Sequence, residues 1–134
     1  MIRFTIPGAP VGKGRARSTR NGHHYTPEKT RNYESWVQYH GLVATPGMPC
    51  TERPVRLSLV FYLPIPKSWS KKRRLQAQEG KVHHTGKPDL DNLIKSVSDG
   101  LNGVIYVDDA QIKAIDAMKV YDINPRVEVE IEEL

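Results

Sequence analysis

A chain of 134 residues with 20 Lys and Arg against 15 Asp and Glu, a formal net charge of +5 and 38% hydrophobic residues describes one loop-rich globular domain. It is too short for two independent cores and too apolar for a disordered acidic polymer. No stretch approaches the roughly 18 apolar residues of a membrane span, MIRFTIPGAPVGKG has no signal-type apolar core, and a single cysteine, Cys50, excludes an internal disulfide or a cysteine-based zinc site, so a cytoplasmic protein is expected.

The chain begins with Ile2, Phe4 and Ile6 alternating with Arg3 and Thr5, the period of a half-buried strand, which Pro7 and Gly8 close. PVGKGRARSTRNGHHY follows, glycine-rich, basic and without apolar periodicity, and reads as a loop. Thr26, Pro27 and Glu28 read as an N-cap, a first helical residue and a favourable first-turn acid. Tyr33, Trp36, Val37 and His40 then fall on one helical face, and the helix should end near Ala44, before Pro46. Val55, Leu57, Leu59 and Phe61 alternate as a second strand, closed by PIPKS. SWSKKRRLQAQEG reads as a short basic helix that Ser68 or Ser70 caps and Gly80 stops.

Leu90, Leu93, Ile94, Val97 and Leu101 recur at three- and four-residue steps, so this segment is a core-facing helix. Residues 112–121 read as a strand of weaker alternation, NP at 124–125 as a turn, and RVEVEIE as a strand with Val127, Val129 and Ile131 inward. The order strand, helix, strand, helix, helix, strand, strand, with a C-terminal hairpin, favours a single α+β (mixed α/β) domain over residues 1–134: a mixed sheet of about four strands with two to three helices.

Charge is divided along the chain. Residues 1–88 hold sixteen Lys/Arg against four Glu, whereas residues 89–134 hold four against eleven Asp/Glu. That division suggests a polyanion gripped by the first part and a carboxylate-rich patch in the second. The patch centres on KPDLDNLIKSVSDGLNGVIYVDDAQI, residues 87–112. Pro88 biases Lys87 away from helical geometry, and either Asp89 or Asp91 can cap the helix. Residues two apart share a face only when extended, so Asp89 and Asp91 serve one site only if the chain stays extended to about Asp91. Lys95 stands one turn on from Asp91, and Asp99 one turn beyond that. Asp108 and Asp109 are neighbours, and in an extended segment only one of them reaches a shared site. Carboxylates gathered at one point repel unless a cation intervenes, and oxygen-only donors suit Mg²⁺, with Mn²⁺ a possible substitute. The bland alternative makes these residues capping acids, an i,i+4 surface pair and turn residues.

DLDN, a lysine four residues after the second aspartate, an aspartate four further on and then DDAQ resemble the signature of the RusA family of Holliday junction resolvases, phage and prophage members included. PVGKGRAR, PKSWSKKRR and PRVEVEI resemble family segments more weakly. The resemblance implies a homodimeric Mg²⁺-dependent endonuclease of DNA recombination and repair, resolving four-way junctions by paired symmetric nicks. Its metal-binding acids carry over to Asp89, Asp91 and Asp109, with Asp108 adjacent, and its catalytic lysine to Lys95. Backbone binding would come from Lys13, Arg15, Arg17 and Arg20 in the glycine-rich loop, from Lys71, Lys72, Arg73 and Arg74 on the short helix, and from Lys87. Gly12-Lys13-Gly14 has neither P-loop nor dinucleotide spacing, so no nucleotide cofactor is expected. A nuclease for flaps and a non-catalytic nucleic-acid-binding protein are the competing expectations.

Overall fold

The computed structural model describes the chain apart from residues 15, 16, 19, 21, 23 and 26, and gives backbone alone at 17, 18, 24 and 25. The expected cap Thr26 and the side chains of Arg15 and Arg17 therefore lie outside the described residues. The elements in chain order are β1 (Ile2–Pro7), β2 (Arg17–Ser18), β3 (His24–Tyr25), α1 (Glu28–Ala44), β4 (Val55–Pro64), α2 (Lys71–Gln78), α3 (Leu90–Gly100), β5 (Ile112–Asp122) and β6 (Arg126–Glu133), with a 3₁₀ turn over Asp109–Gln111 before β5.

One mixed sheet in the order β1-β6-β4-β5 forms the body of the α+β fold. β6 runs antiparallel to both β1 and β4, and β4 runs parallel to β5. The expected C-terminal hairpin does not form. β4 lies between β5 and β6, because its alternate residues Val55, Leu57, Leu59, Phe61 and Leu63 are all buried and a strand this apolar takes a central place. The parallel β4–β5 pair then requires a crossover, and α2 and α3 lie in it. The segment read as a loop contains the two-residue ladder β2–β3, too short to leave a period in the sequence. α1 starts at Glu28, so Pro27 precedes the helix where the sequence suggested its first residue, and it ends at Ala44 as expected. Ser70 caps α2, its hydroxyl accepting from the Arg73 amide at 3.2 Å, and Gly80 follows at φ +79°.

The core lies between the sheet and the pair α1/α3. Val37 and Tyr33 meet Leu93, Val97 and Leu101 over Leu57, Leu59, Phe61, Val127 and Val129. α1 and α3 cross on two glycines. A Cβ at Gly100 would stand 2.9 Å from Val37 Cβ and 3.1 Å from the Glu34 carbonyl oxygen, and one at Gly41 would stand 2.9 Å from Leu101 Cδ2. This close crossing places Glu34 of α1 against the end of α3. The other face of the sheet carries charged pairs: Arg3 with Glu130 at 2.9 Å, Arg56 with Glu132 at 3.5 Å, and Arg126 with Glu128 at 3.1 Å, the Arg126 guanidinium lying 3.7 Å from the centre of the Tyr62 ring. Among the described residues, no helix is long and apolar enough to cross a membrane.

Candidate active site at the outer face of the third helix

α3 turns Leu93 and Val97 into the core, which leaves Asp91, Lys95 and Asp99, spaced four apart, along its outer edge. The helix begins at Leu90. Asp89 alone keeps extended dihedrals, φ −69° and ψ 145°, while Asp91 already lies in the first turn. The expectation of an extended chain through Asp91 is thus not met. Leu90 packs against the core, and that burial draws the helix start back by one residue. Asp89 consequently does not share a strand face with Asp91. Its Oδ2 lies 3.0 Å from Lys87 Nζ, and Asp91 Oδ1 accepts from the Asn92 amide at 2.9 Å.

The turn that delivers Asp89 is clamped from the sheet. Lys119 Nζ of β5 donates to the carbonyls of Gly86 at 2.8 Å and Pro88 at 3.1 Å. His84 packs on Tyr121 of the same strand, ring centres 4.9 Å apart, and its pKa is lowered by burial and then by the Lys119 charge. His83 is exposed.

Lys95 is the hub of the site. Its Nζ donates to Asp99 Oδ1 at 2.9 Å and to Asp109 Oδ2 at 3.2 Å. The hydrogen bond to Asp99 raises its pKa most, Asp109 adds to it, and partial burial only partly opposes them. Asp109 opens the 3₁₀ turn, so its side chain reaches back to α3 while Asp108, extended before it, stays exposed. Gln111 holds that turn. Its Oε1 accepts from the Asp108 amide at 2.9 Å, and its Nε2 donates to the carbonyls of Thr51 at 2.9 Å and Arg53 at 3.0 Å. Beneath the cluster the buried Tyr106 hydroxyl donates to the Ser98 carbonyl at 2.6 Å. Burial, followed by the charges of Asp109, Asp99 and Asp108, raises its pKa, so it stays a donor.

Asp99 is gripped on both oxygens. Lys13 Nζ stands 3.2 Å from its Oδ2 and 2.5 Å from Glu34 Oε1. Burial works to lower the Lys13 pKa, and Glu34 and Asp99 outweigh it, for a net rise. The glycine-rich loop is laid along α3 for this purpose. The Lys13 amide donates to the Asn92 carbonyl at 2.8 Å, Ser96 Oγ donates to the Val11 carbonyl at 2.7 Å, and a Cβ at Gly12 would come within 3.2 Å of Asn92 Cβ and Pro88 Cβ. Glu34, Lys13, Asp99, Lys95 and Asp109 form one alternating chain of charge. Lys13, expected on DNA, forms a link of this chain.

The family model of endodeoxyribonuclease RusA matches residues 7–132. The chain belongs to the RusA family. It is 43% identical over 140 aligned positions to the uncharacterized protein YqaN of Bacillus subtilis (strain 168), covering 99% of this chain and 96% of that protein. It is also 35% identical over 113 positions to the crossover junction endodeoxyribonuclease rusA of Lactococcus phage r1t, covering 82% of this chain and 77% of that one.

Within this RusA-family fold the six residues of the acidic motif reach the site unequally. Lys95, Asp99 and Asp109 are in direct contact, whereas Asp89 and Asp91 stand at the helix start and Asp108 at the edge. Among the described residues, no three His, Cys, Asp or Glu side chains are close enough together to enclose a metal ion. Of the basic residues expected on DNA, Arg20 and Lys71 to Arg74 are exposed, Lys87 is exposed but paired with Asp89, and Arg73 stacks on Trp69 at 4.1 Å. Sequence reasoning missed Glu34, Gln111 and Lys119. The Gln of DDAQ was visible, but its anchoring partners lie about sixty residues away and left no local signal.

Proposed function

We propose that this chain is a Mg²⁺-dependent, structure-selective DNA endonuclease that resolves four-way junctions by paired symmetric nicks in recombination and repair, acting as a homodimer. The observation that carries the reading is the lodging of Lys95 between Asp99 and Asp109 on the helix that begins with Asp89 and Asp91, in a RusA-family chain. Family membership and the crossover-junction activity named for the phage relative support the substrate class.

In donor type these carboxylates suit a hard divalent cation, but among the described residues no three of them stand close enough together to enclose one. The carboxylates around the start of α3 and the 3₁₀ turn offer oxygen alone, and Lys87 and Lys95 pair with two of them, Asp89 and Asp109. Asp89, Asp91 and Asp109, which stand apart with Asp89 extended and Asp91 already helical, would have to draw together to hold the ion, with Asp108 beside them. When bound, it would polarise the scissile phosphate and lower the pKa of an attacking water. Lys95, kept protonated by its two carboxylates, presents Nζ as a donor to the charge that develops on the phosphoryl oxygens. Asp99 and Lys13 fix where that Nζ points. Backbone phosphates would meet Arg20, Lys87 and, on α2, Lys72 and Arg73. Two sites related by a dimer axis would cut two strands symmetrically.

The test is cleavage of a labelled four-way junction in Mg²⁺, beside a linear duplex and a flap, by the native protein and an Asp91→Asn variant. Paired nicks in the junction alone, lost in the variant, are expected. Equal cutting by Asp91→Asn would remove the metal site from Asp91, and a preference for flaps would replace the substrate.

A further inference from the structure

α2 is basic all round, but its residues do not share one task. Lys71, Arg74, Leu75 and Gln78 recur on one face and line a groove of about 580 Å³ between α2 and the β5–β6 turn. Its floor is aliphatic: Pro64, Ile65, Leu75, Ile123 and Pro125. Leu75 and Ile123 are 55% and 60% exposed, so the groove presents apolar surface to water. Its rim is cationic. Lys67, Lys71 and Arg74 make no ion pair among the described residues, and no acidic residue lines the groove. Lys72 and Arg73 are not part of its lining, and Arg73 lies over the Trp69 ring.

We propose that this groove docks a segment of a partner protein that combines an apolar anchor side chain with flanking carboxylates. Charge complementarity selects the occupant: an aliphatic floor takes an apolar side chain out of water, and three unpaired cations at the rim take carboxylates. DNA suits the groove less well. A phosphate backbone leaves the aliphatic floor uncovered, and an unpaired base stacks on an aromatic face, which the lining does not provide. The groove thus divides α2 into a peptide face, Lys71 and Arg74, and a face left for other contacts, Lys72 and Arg73. The inference stands apart from the nuclease reading.

The experiment is fluorescence anisotropy with a short labelled synthetic peptide of aspartates around one phenylalanine, titrated with the full chain. A peptide with phenylalanine replaced by serine and a labelled four-way junction without divalent metal serve as comparisons. Saturable binding of the phenylalanine peptide is expected. It should weaken by about tenfold or more in Leu75→Glu and in Ile123→Asp, since each introduces a carboxylate where apolar contact is made. Lys71→Ala with Arg74→Ala should weaken it similarly, and Lys72→Ala should leave it unchanged. Junction affinity should change by less than about twofold in Leu75→Glu, which also shows that the variant folds. Failure of the peptide to bind, equal binding of the serine peptide, or indifference to Leu75→Glu and Ile123→Asp would overturn the proposal. Displacement of the peptide by junction DNA, with Leu75→Glu weakening both ligands alike, would overturn it in favour of a DNA surface.

Discussion

Replacing Lys13 by Met separates two roles that the sequence alone leaves open. If Lys13 were a phosphate contact, its loss would lower the slope of log affinity against log salt by about 0.9 and leave stability unchanged. The structure gives it another task. Its ammonium joins Glu34 and Asp99, whose side chains are only 22% and 17% exposed. Among the described residues, removing it leaves Glu34 without an ion-pair partner and Asp99 paired with Lys95 alone. A partly buried charged group deprived of its partner costs about 1–3 kcal/mol, between the value of an exposed pair and that of a fully buried one. For a domain of this size that is a fall in Tm of roughly 3–12 °C. Thermal unfolding by circular dichroism and junction binding across a salt series, without divalent metal, are the two assays. A lower Tm with an unchanged salt slope is expected, together with a lower kcat because Asp99 no longer fixes Lys95. A native Tm with a slope reduced by about one would refute the reasoning.

The same pair carries a pH signature. The Lys13 pKa is raised above 10.5 in the fold, so its contribution is fully present below that value and is lost as pH rises through the higher folded pKa. The Tm difference between the native chain and Lys13→Met should therefore be constant through neutral pH and shrink only in strong alkali. A difference that vanished on acidification to mildly acidic pH would assign it to some other group.

Gly100→Ala tests the crossing of α1 on α3. The added Cβ meets Val37 at 2.9 Å and the Glu34 carbonyl at 3.1 Å, so the overpacking cost of about 1–3 kcal/mol should exceed the helix-propensity gain of up to about 1 kcal/mol, and a higher Tm in thermal unfolding would contradict it. Gln111→Ala removes three hydrogen bonds from the turn that carries Asp109, at about 1 kcal/mol each or less where water replaces them. Steady-state cleavage should show kcat falling with KM for the junction little changed, and an unaltered kcat would show that the turn holds itself.

The periodic elements were legible in the sequence because each pairs a local period with one buried face. The alternation of β4 and β6 and the helical spacing of Leu93, Val97 and Leu101 gave strands and a helix where the structure has them. Strand order was not legible, since nothing in a strand's own period says which neighbours it pairs with, and β4 enters between β5 and β6 through contacts remote in sequence. At the site, the candidates from Asp89 to Asp109 came from spacing together with the family resemblance. Glu34 was not among them, and Lys13 was read only as a DNA-backbone contact, because both meet the α3 site through the glycine crossing of α1 on α3 and the laying of residues 11–14 along that helix.

The charge division of the sequence therefore needs a different interpretation. It suggested that an acidic second part required a cation from outside, yet much of that acid is answered from within. Arg3 and Arg56 reach Glu130 and Glu132 across the sheet, and Arg53 reaches Glu133 at 3.8 Å. At the site, Lys13 and Lys87 come from the basic part to Asp99 and Asp89, and Lys95 holds Asp99 and Asp109. Repulsion among these carboxylates is thus relieved in part by ammonium groups of the fold itself. What the asymmetry along the chain records is in good part the pairing of distant segments, and the cations that a polyanion could meet on α2 are Lys72 and Arg73, which are not part of the groove's lining.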